Sequence, residues 1–233
     1  MLRRAAFGLF LSLGGCTPPA GGGAPPPVVP PPPAAAPTPA PDPVTNTVRV
    51  AFFGDSLTAG FGLSPDQAYP ALVGRALTEA GLPVTILNAG VSGDTTAAGL
   101  RRLDWTLQQH PDVFVLALGA NDMLRGLPVT EARANLTTIA ERARAAGATV
   151  VLAGMRANPS LGPDYATAFD AIYPDLSRTL NAPLLPFLLD GVIGDPAFTQ
   201  SDGVHPTAAG QQRIAALLLP VLEPVVKERV AGR

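Results

Sequence analysis

Two short polar islands carry the residues most able to do chemistry. Gly54-Asp55-Ser56-Leu57 follows the first strand-like apolar run, and Asp202-Gly203-Val204-His205-Pro206 precedes the last helix-like segment. Together they offer a hydroxyl, an imidazole and a carboxylate, the parts needed to activate a serine as a nucleophile. His110 and His205 are the only histidines, so a base of this kind has few candidates. His110 sits in Gln108-Gln109-His110-Pro111, which reads as a helix-to-strand turn. Taken alone, Ser56 also fits a helix cap and Asp202 a turn carboxylate.

These islands need a scaffold to bring them together. Apolar runs occur at Val48-Phe53, Val84-Leu87, Val113-Leu118 and Thr149-Ala153, with a weaker one at Leu184-Leu188. Between them, the stretches Gln67-Ala80, Thr95-Gln109, Thr130-Ala146 and Asp164-Leu180 have helical composition and spacing. Near-continuous apolar strands alternating with helices predict a mainly parallel α/β sheet covered on both faces. A final helix is expected from about Thr207, interrupted or ended by Pro220 and Pro224.

In such a sheet, ligands bind beyond the carboxyl ends of the strands. Four polar groups are expected there: Asp55-Ser56, Asn88 to Asp94, Gly119 to Asp122 and Met155 to Pro159. Gly54-Asp55-Ser56 is neither a Gly-x-Ser-x-Gly elbow nor part of a phosphate loop, since no lysine follows it.

Four blocks in order carry a strong resemblance. Gly54-Asp55-Ser56-Leu57-Thr58-Ala59-Gly60, Asn88-Ala89-Gly90-Val91-Ser92-Gly93-Asp94-Thr95, Gly119-Ala120-Asn121-Asp122 and Asp202-Gly203-Val204-His205-Pro206 resemble the SGNH, or GDSL, hydrolases. The likeness extends through the whole domain and is greatest to bacterial arylesterases and multifunctional thioesterase/lysophospholipases. It implies a three-layer α/β/α, flavodoxin-like fold with a five-stranded, mostly parallel sheet. It also implies a serine esterase acting through an acyl-Ser56 intermediate, on small esters or acyl lipids and without a cofactor.

By that resemblance Ser56 is the nucleophile, His205 the base and Asp202 the residue that orients it. The oxyanion donors are the backbone N–H groups of Ser56 and Gly93 and the side-chain amide of Asn121. Gly93 and Asn121 also fit simple turn roles. Asp55, Asp94 and Asp122 are assigned to holding loops, with Asp94 closest in sequence to the oxyanion donor. Met155, Arg156, Asn158 and Pro159 open a loop that in related proteins borders the acyl pocket; it could equally just cover the sheet. Phe61, Tyr69 and Tyr165 are further candidates for apolar surface or for packing. The same fold supports carbohydrate deacetylation, and a lipid- or glycan-binding lipoprotein without turnover is the non-enzymatic alternative.

The first 47 residues stand apart. Residues 1–16 begin with Arg3 and Arg4, continue through the apolar Ala5-Leu13 and end at Leu13-Gly14-Gly15-Cys16. This is the pattern of an export signal, too short to span a bilayer. Its end resembles a lipobox with Cys16 as the lipidated residue, although an ordinary signal peptide could carry the cysteine incidentally. The lack of an acidic residue at position 17 favours, by the same resemblance, the periplasmic face of the outer membrane. Residues 17–47 hold 13 prolines and one charge, Asp42, a composition for a spacer rather than a core. Residues 48–233 suffice for one hydrolase domain.

Composition excludes other classes. The net charge is −2, charged residues make up 15 %, and Arg101-Arg102 is a basic pair within an otherwise ordinary helix candidate. Nucleic acid is therefore not an expected partner. Cys16 is the single cysteine, which rules out an intramolecular disulfide, and no compact His/Cys/Asp spacing suggests a metal. Composition leaves the oligomeric state open.

Overall fold

The computed structural model describes residues 47–233. The export segment, Cys16 and the spacer up to residue 46 lie outside the described residues. Five parallel strands, β1 (Val48–Gly54), β2 (Val84–Gly90), β3 (Val113–Ala117), β4 (Thr149–Ala153) and β5 (Leu184–Leu185), form one sheet in the order β2-β1-β3-β4-β5. Every residue of β3 is buried, as is all of β1 except Arg49. That double-sided burial explains why these strands are apolar throughout rather than alternating.

Helices α1 (Ser56–Ala59), α2 (Tyr69–Glu79), α3 (Thr96–Leu107), α4 (Ala120–Leu124), α5 (Val129–Ala145), α6 (Pro163–Asp170), α7 (Ile172–Leu180) and α8 (Ala208–Ala231) complete the fold. Helices α2 and α8 pack together, as do α3 and α5, while the apolar sheet residues join one continuous core. This is the expected α/β/α sandwich. No helix among the described residues is long and apolar enough to cross a membrane.

Three expectations need correction. The stretch Asp164-Leu180 forms two helices rather than one. Pro174 has no N–H to give the Asp170 carbonyl, so α6 ends and α7 restarts with the proline in its first turn. The last strand stops at Leu185, because Pro186 cannot donate to a ladder and only an edge position tolerates it. Most notably, α8 runs through both Pro220 and Pro224. Ala216, Pro220 and Pro224 recur at intervals of four on the exposed face, where water can satisfy the carbonyls that the prolines leave free. Ile214, Leu218, Leu222, Val225 and Val226 are buried on the opposite side and anchor the helix despite the missing bonds.

The chain turns in opposite directions from β1, with β2 on one side and β3 on the other. Gly54 is in register with Gly90 and with Ala117. The loops that follow these three positions therefore start side by side at the carboxyl ends of the strands, where a crevice forms.

Candidate active site

Asp55, rather than Ser56, caps α1. Its Oδ1 accepts the Leu57 N–H at 3.0 Å, leaving Ser56 as the first helical residue with its hydroxyl free for other partners. The Ser56 Oγ lies 2.9 Å from Nε2 of His205. Nδ1 of the same ring lies 2.6 Å from Oδ2 of Asp202, whose Oδ1 accepts the backbone N–H groups of Val204 and His205 at 2.9 and 3.0 Å. A carboxylate can only accept, so Nδ1 carries the proton and Nε2 is free to accept one from Ser56.

The loop before α8 brings this about. Thr199 and Pro206 form an antiparallel bridge, and Gly203 turns the chain between them. Residues three apart thus face one another in a closed loop, as the sequence allows. The backbone N–H and ring of His205 and the N–H of Val204 hold the Asp202 carboxyl down at about 2.

Gly93 and Asn121 arrive from the neighbouring loops. Gly93 has φ +83°, in a turn closed by the Asp94 N–H on the Val91 carbonyl at 3.2 Å. A side chain would strain that conformation. Asn121, in α4, donates through Nδ2 to the Asp94 carbonyl at 3.0 Å, which couples the two loops directly. Arg125 Nη2 donates to the Gly93 carbonyl at 2.8 Å and pins the turn from its other side.

Each of the three remaining acids holds a loop. Asp94 pairs with Arg102 at 2.5 Å, and the same guanidinium donates to the Gly54 carbonyl at 2.8 Å. Asp122 is buried and accepts both the backbone N–H and the hydroxyl of Thr96, at 2.8 and 2.7 Å. Asp55 is fully buried, with Oδ2 3.5 Å from the Asn121 amide. Burial pushes its carboxyl up from 3.8 to about 6, against the pull of the Leu57 N–H and of His205.

A stability prediction follows from Asp55. Its folded-state value lies above its unfolded one, so the folded chain binds the extra proton between them. The contribution is complete below 3.8 and is lost as the pH rises through about 6. Asp55→Asn should therefore gain on the wild type by about 2–3 kcal/mol between pH 4 and pH 8. Urea unfolding of both proteins at the two pH values measures this, and a constant difference would refute it.

A cavity of about 520 Å³ opens beside Ser56 and His205. Met123, Leu124, Phe187, Leu189 and Ile193 give it apolar walls, and Met155, Arg156, Asn158 and Pro159 line it as well. The loop is held there by the Asp170 carboxylate on the Ala157 N–H at 2.7 Å, and by the Asn158 N–H on Met123 Sδ at 3.4 Å. Tyr69 and Tyr165 do not line it. Tyr69 is buried with its hydroxyl 2.7 Å from Thr58 Oγ1, and Tyr165 donates to the Leu127 carbonyl at 3.1 Å. Phe61 lies over the His205 ring instead.

Three positioning side chains had no signal in the sequence. Gln211 of α8 receives the Tyr69 N–H at 2.8 Å and donates to the Leu57 carbonyl at 3.1 Å, tying the last helix to the first. Gln200 and Arg102 also bridge distant segments, 139 and 48 residues apart. Their partners are chosen by topology, so no local pattern marks them.

Comparison with known proteins shows the family. The model of the GDSL-like Lipase/Acylhydrolase family matches residues 52–213. An arylesterase of Vibrio mimicus is 40 % identical over 168 residues, covering 72 % of this chain and 84 % of its own. The thioesterase 1/protease 1/lysophospholipase L1 of Escherichia coli is 38 % identical over 174 residues, covering 74 % and 82 %. Among solved structures, the crystal structure of TesA superposes with a TM-score of 0.73 at 38 % identity, covering 76 % of this chain and 99 % of that one.

Proposed function

Because the chain belongs to the GDSL-like lipase/acylhydrolase family and is a serine esterase, we propose that Ser56 is its nucleophile, His205 its base and Asp202 the residue orienting that base. The observation that carries this assignment is the unbroken line of hydrogen bonds from Asp202 through His205 to Ser56, at 2.6 and 2.9 Å.

Ser56 Oγ attacks the ester carbonyl carbon as its proton passes to His205 Nε2. The negative charge gathering on the carbonyl oxygen meets the N–H groups of Ser56 and Gly93 and the Asn121 amide, which keeps one proton on the Asp94 carbonyl at 3.0 Å and turns the other from its long 3.5 Å contact with Asp55 to the oxyanion. When the tetrahedral intermediate collapses, the bond to the leaving alcohol or thiol breaks and Nε2 returns its proton to that group. Water then attacks acyl-Ser56, giving a proton to Nε2 that passes to Ser56 Oγ as the carboxylic acid departs. Asp202 stabilises the imidazolium in both halves.

The cavity supports acyl esters as the substrate class, with thioesters and lysophospholipids as finer candidates. Its apolar walls reward each added methylene by about 0.8 kcal/mol while the chain remains buried. Hydrolysis of p-nitrophenyl esters from acetate to palmitate should therefore rise in kcat/KM beyond acetate and fall once the cavity is full. A maximum at acetate would remove the acyl-chain reading and direct the search to acetylated carbohydrates. Acyl thioesters and lysophospholipids tested at the best chain length distinguish the leaving groups.

We also propose that the enzyme is exported and tethered by a lipid on Cys16 at the periplasmic face of the outer membrane, with residues 17–47 as the spacer. The basic start, apolar run and Leu13-Gly14-Gly15-Cys16 support this. The mass of the mature N-terminus tests it: an unmodified Cys16 would remove the anchor.

A further inference from the structure

Phe61 is one of five large apolar side chains left exposed among the described residues, at 48 %, and the group beneath it is His205. Its ring lies 4.4 Å from the His205 ring, centre to centre, with the planes 33° apart. The imidazole makes two hydrogen bonds, from Nδ1 to Asp202 at 2.6 Å and between Nε2 and Ser56 at 2.9 Å. They fix the ring along one line but leave it free to rock about that line. A contact on the ring face is what removes this freedom.

Resting on the assignment of His205 as base, we infer that Phe61 and Gln200 are positioning residues for it. The Phe61 ring sets the imidazole plane and stabilises its cation, and the Gln200 amide sets Phe61. The Phe61 N–H donates to the Ser56 carbonyl at 3.1 Å, which ties Phe61 to the nucleophile's own backbone. Its carbonyl accepts from Gln200 Nε2 at 2.9 Å. That same amide donates to the Pro206 carbonyl at 2.9 Å, while the Gln200 N–H donates to the His205 carbonyl at 2.7 Å. One side chain thus joins segments 139 residues apart, one bearing Ser56 and the other His205.

Gly62 makes room for the bridge. It has φ +78°, and a Cβ there would stand 2.8 Å from Gln200 Oε1. His205 becomes an imidazolium in acylation and again in deacylation, and the electron-rich face of a phenyl ring attracts a cation placed over it. Phe61 does not line the acyl cavity, so its effect should fall on turnover rather than on substrate binding.

The test uses the full chain carrying Phe61→Leu, Phe61→Tyr, Gln200→Ala or Phe61→Leu with Gln200→Ala, assayed on p-nitrophenyl butyrate. Phe61→Leu should lower kcat about 3- to 30-fold with KM within about twofold, and Phe61→Tyr should keep wild-type kcat, since it retains the ring. Gln200→Ala should lower kcat too, and the double variant should lose less than the product of the single losses, since Gln200 acts partly through Phe61. Unchanged kcat in Phe61→Leu, or a change confined to KM, would overturn the inference.

Proton NMR gives a readout that needs no turnover. With only two histidines, His110 serves as the internal reference for His205. The carbon-bound ring protons of His205 should be shifted upfield by the Phe61 ring in wild type and in Ser56→Ala, and the shift should vanish in Phe61→Leu. Unshifted protons in the wild type would overturn the stacking on its own. A protein that shows the shift but hydrolyses no ester in the series would instead remove the assignment of His205 as base, and the inference with it.

Discussion

Ser56→Ala is expected to lower kcat by about 10⁴-fold or more on any ester the enzyme accepts, while the protein stays folded. The substitution removes one oxygen from a side chain already largely buried, and with it the atom 2.9 Å from His205 Nε2. No acyl-enzyme can form, because the bond from Oγ to the carbonyl carbon has no donor. The backbone N–H of residue 56, the Gly93 turn and Asn121 are untouched, so some acceleration over water remains from the polarised carbonyl. Initial rates with a p-nitrophenyl ester, with circular dichroism on the same samples, decide the matter. Activity within about tenfold of the wild type would mean that another group attacks. Paired with His205→Ala, the double variant should be little worse than either single one, since the two side chains act as a unit.

Asp202→Asn should cost almost as much, about 10⁴-fold in kcat, and for a different reason. The carboxylate now fixes the tautomer by accepting from Nδ1 at 2.6 Å. An amide can keep its oxygen on the Val204 and His205 N–H groups, which leaves its NH₂ facing Nδ1. Nδ1 must then accept, the ring proton moves to Nε2, and the base points a donor at Ser56. The geometry survives while the proton sits on the wrong nitrogen. Because the Asp202 carboxyl is held down at about 2, it remains ionised throughout the neutral range, and its own protonation does not shape the activity there. The ¹⁵N chemical shifts of the two His205 ring nitrogens report the tautomer directly. Retention of an Nδ1 proton in Asp202→Asn, or activity near wild type, would sink this account.

Much of the site was legible because its chemistry clusters in short blocks. Ser56, Asp202 and His205 stood out by residue type after a strand end or before the last helix, while the roles of Gly93 and Asn121 came from the resemblance of their blocks and not from apolar patterning. The strands β1 and β3 are apolar throughout because both faces are covered, which a linear reading detects. Asp55 and Asp122 were legible as loop-holding acids, but their partners were not. Asp122 binds Thr96 from another helix, and Asp55 caps the helix that Ser56 alone was a candidate to cap.

Local patterning along the chain specifies the alternation of strands and helices, the order of the polar blocks and the residue types that can pass a proton. These follow from short-range physics, in which a residue's neighbours fix its backbone preference and its face. Tertiary structure alone decided which distant groups meet. It joined Gln200 to Phe61 and Gln211 to Leu57, it placed Phe61 on the base rather than in the acyl cavity, and it kept α8 whole across Pro220 and Pro224. A proline's local cost is fixed, but whether a helix tolerates it depends on the burial of the opposite face. Likewise an amide's two protons carry no address, and only the packing of the sheet and its loops supplies the carbonyls that they find.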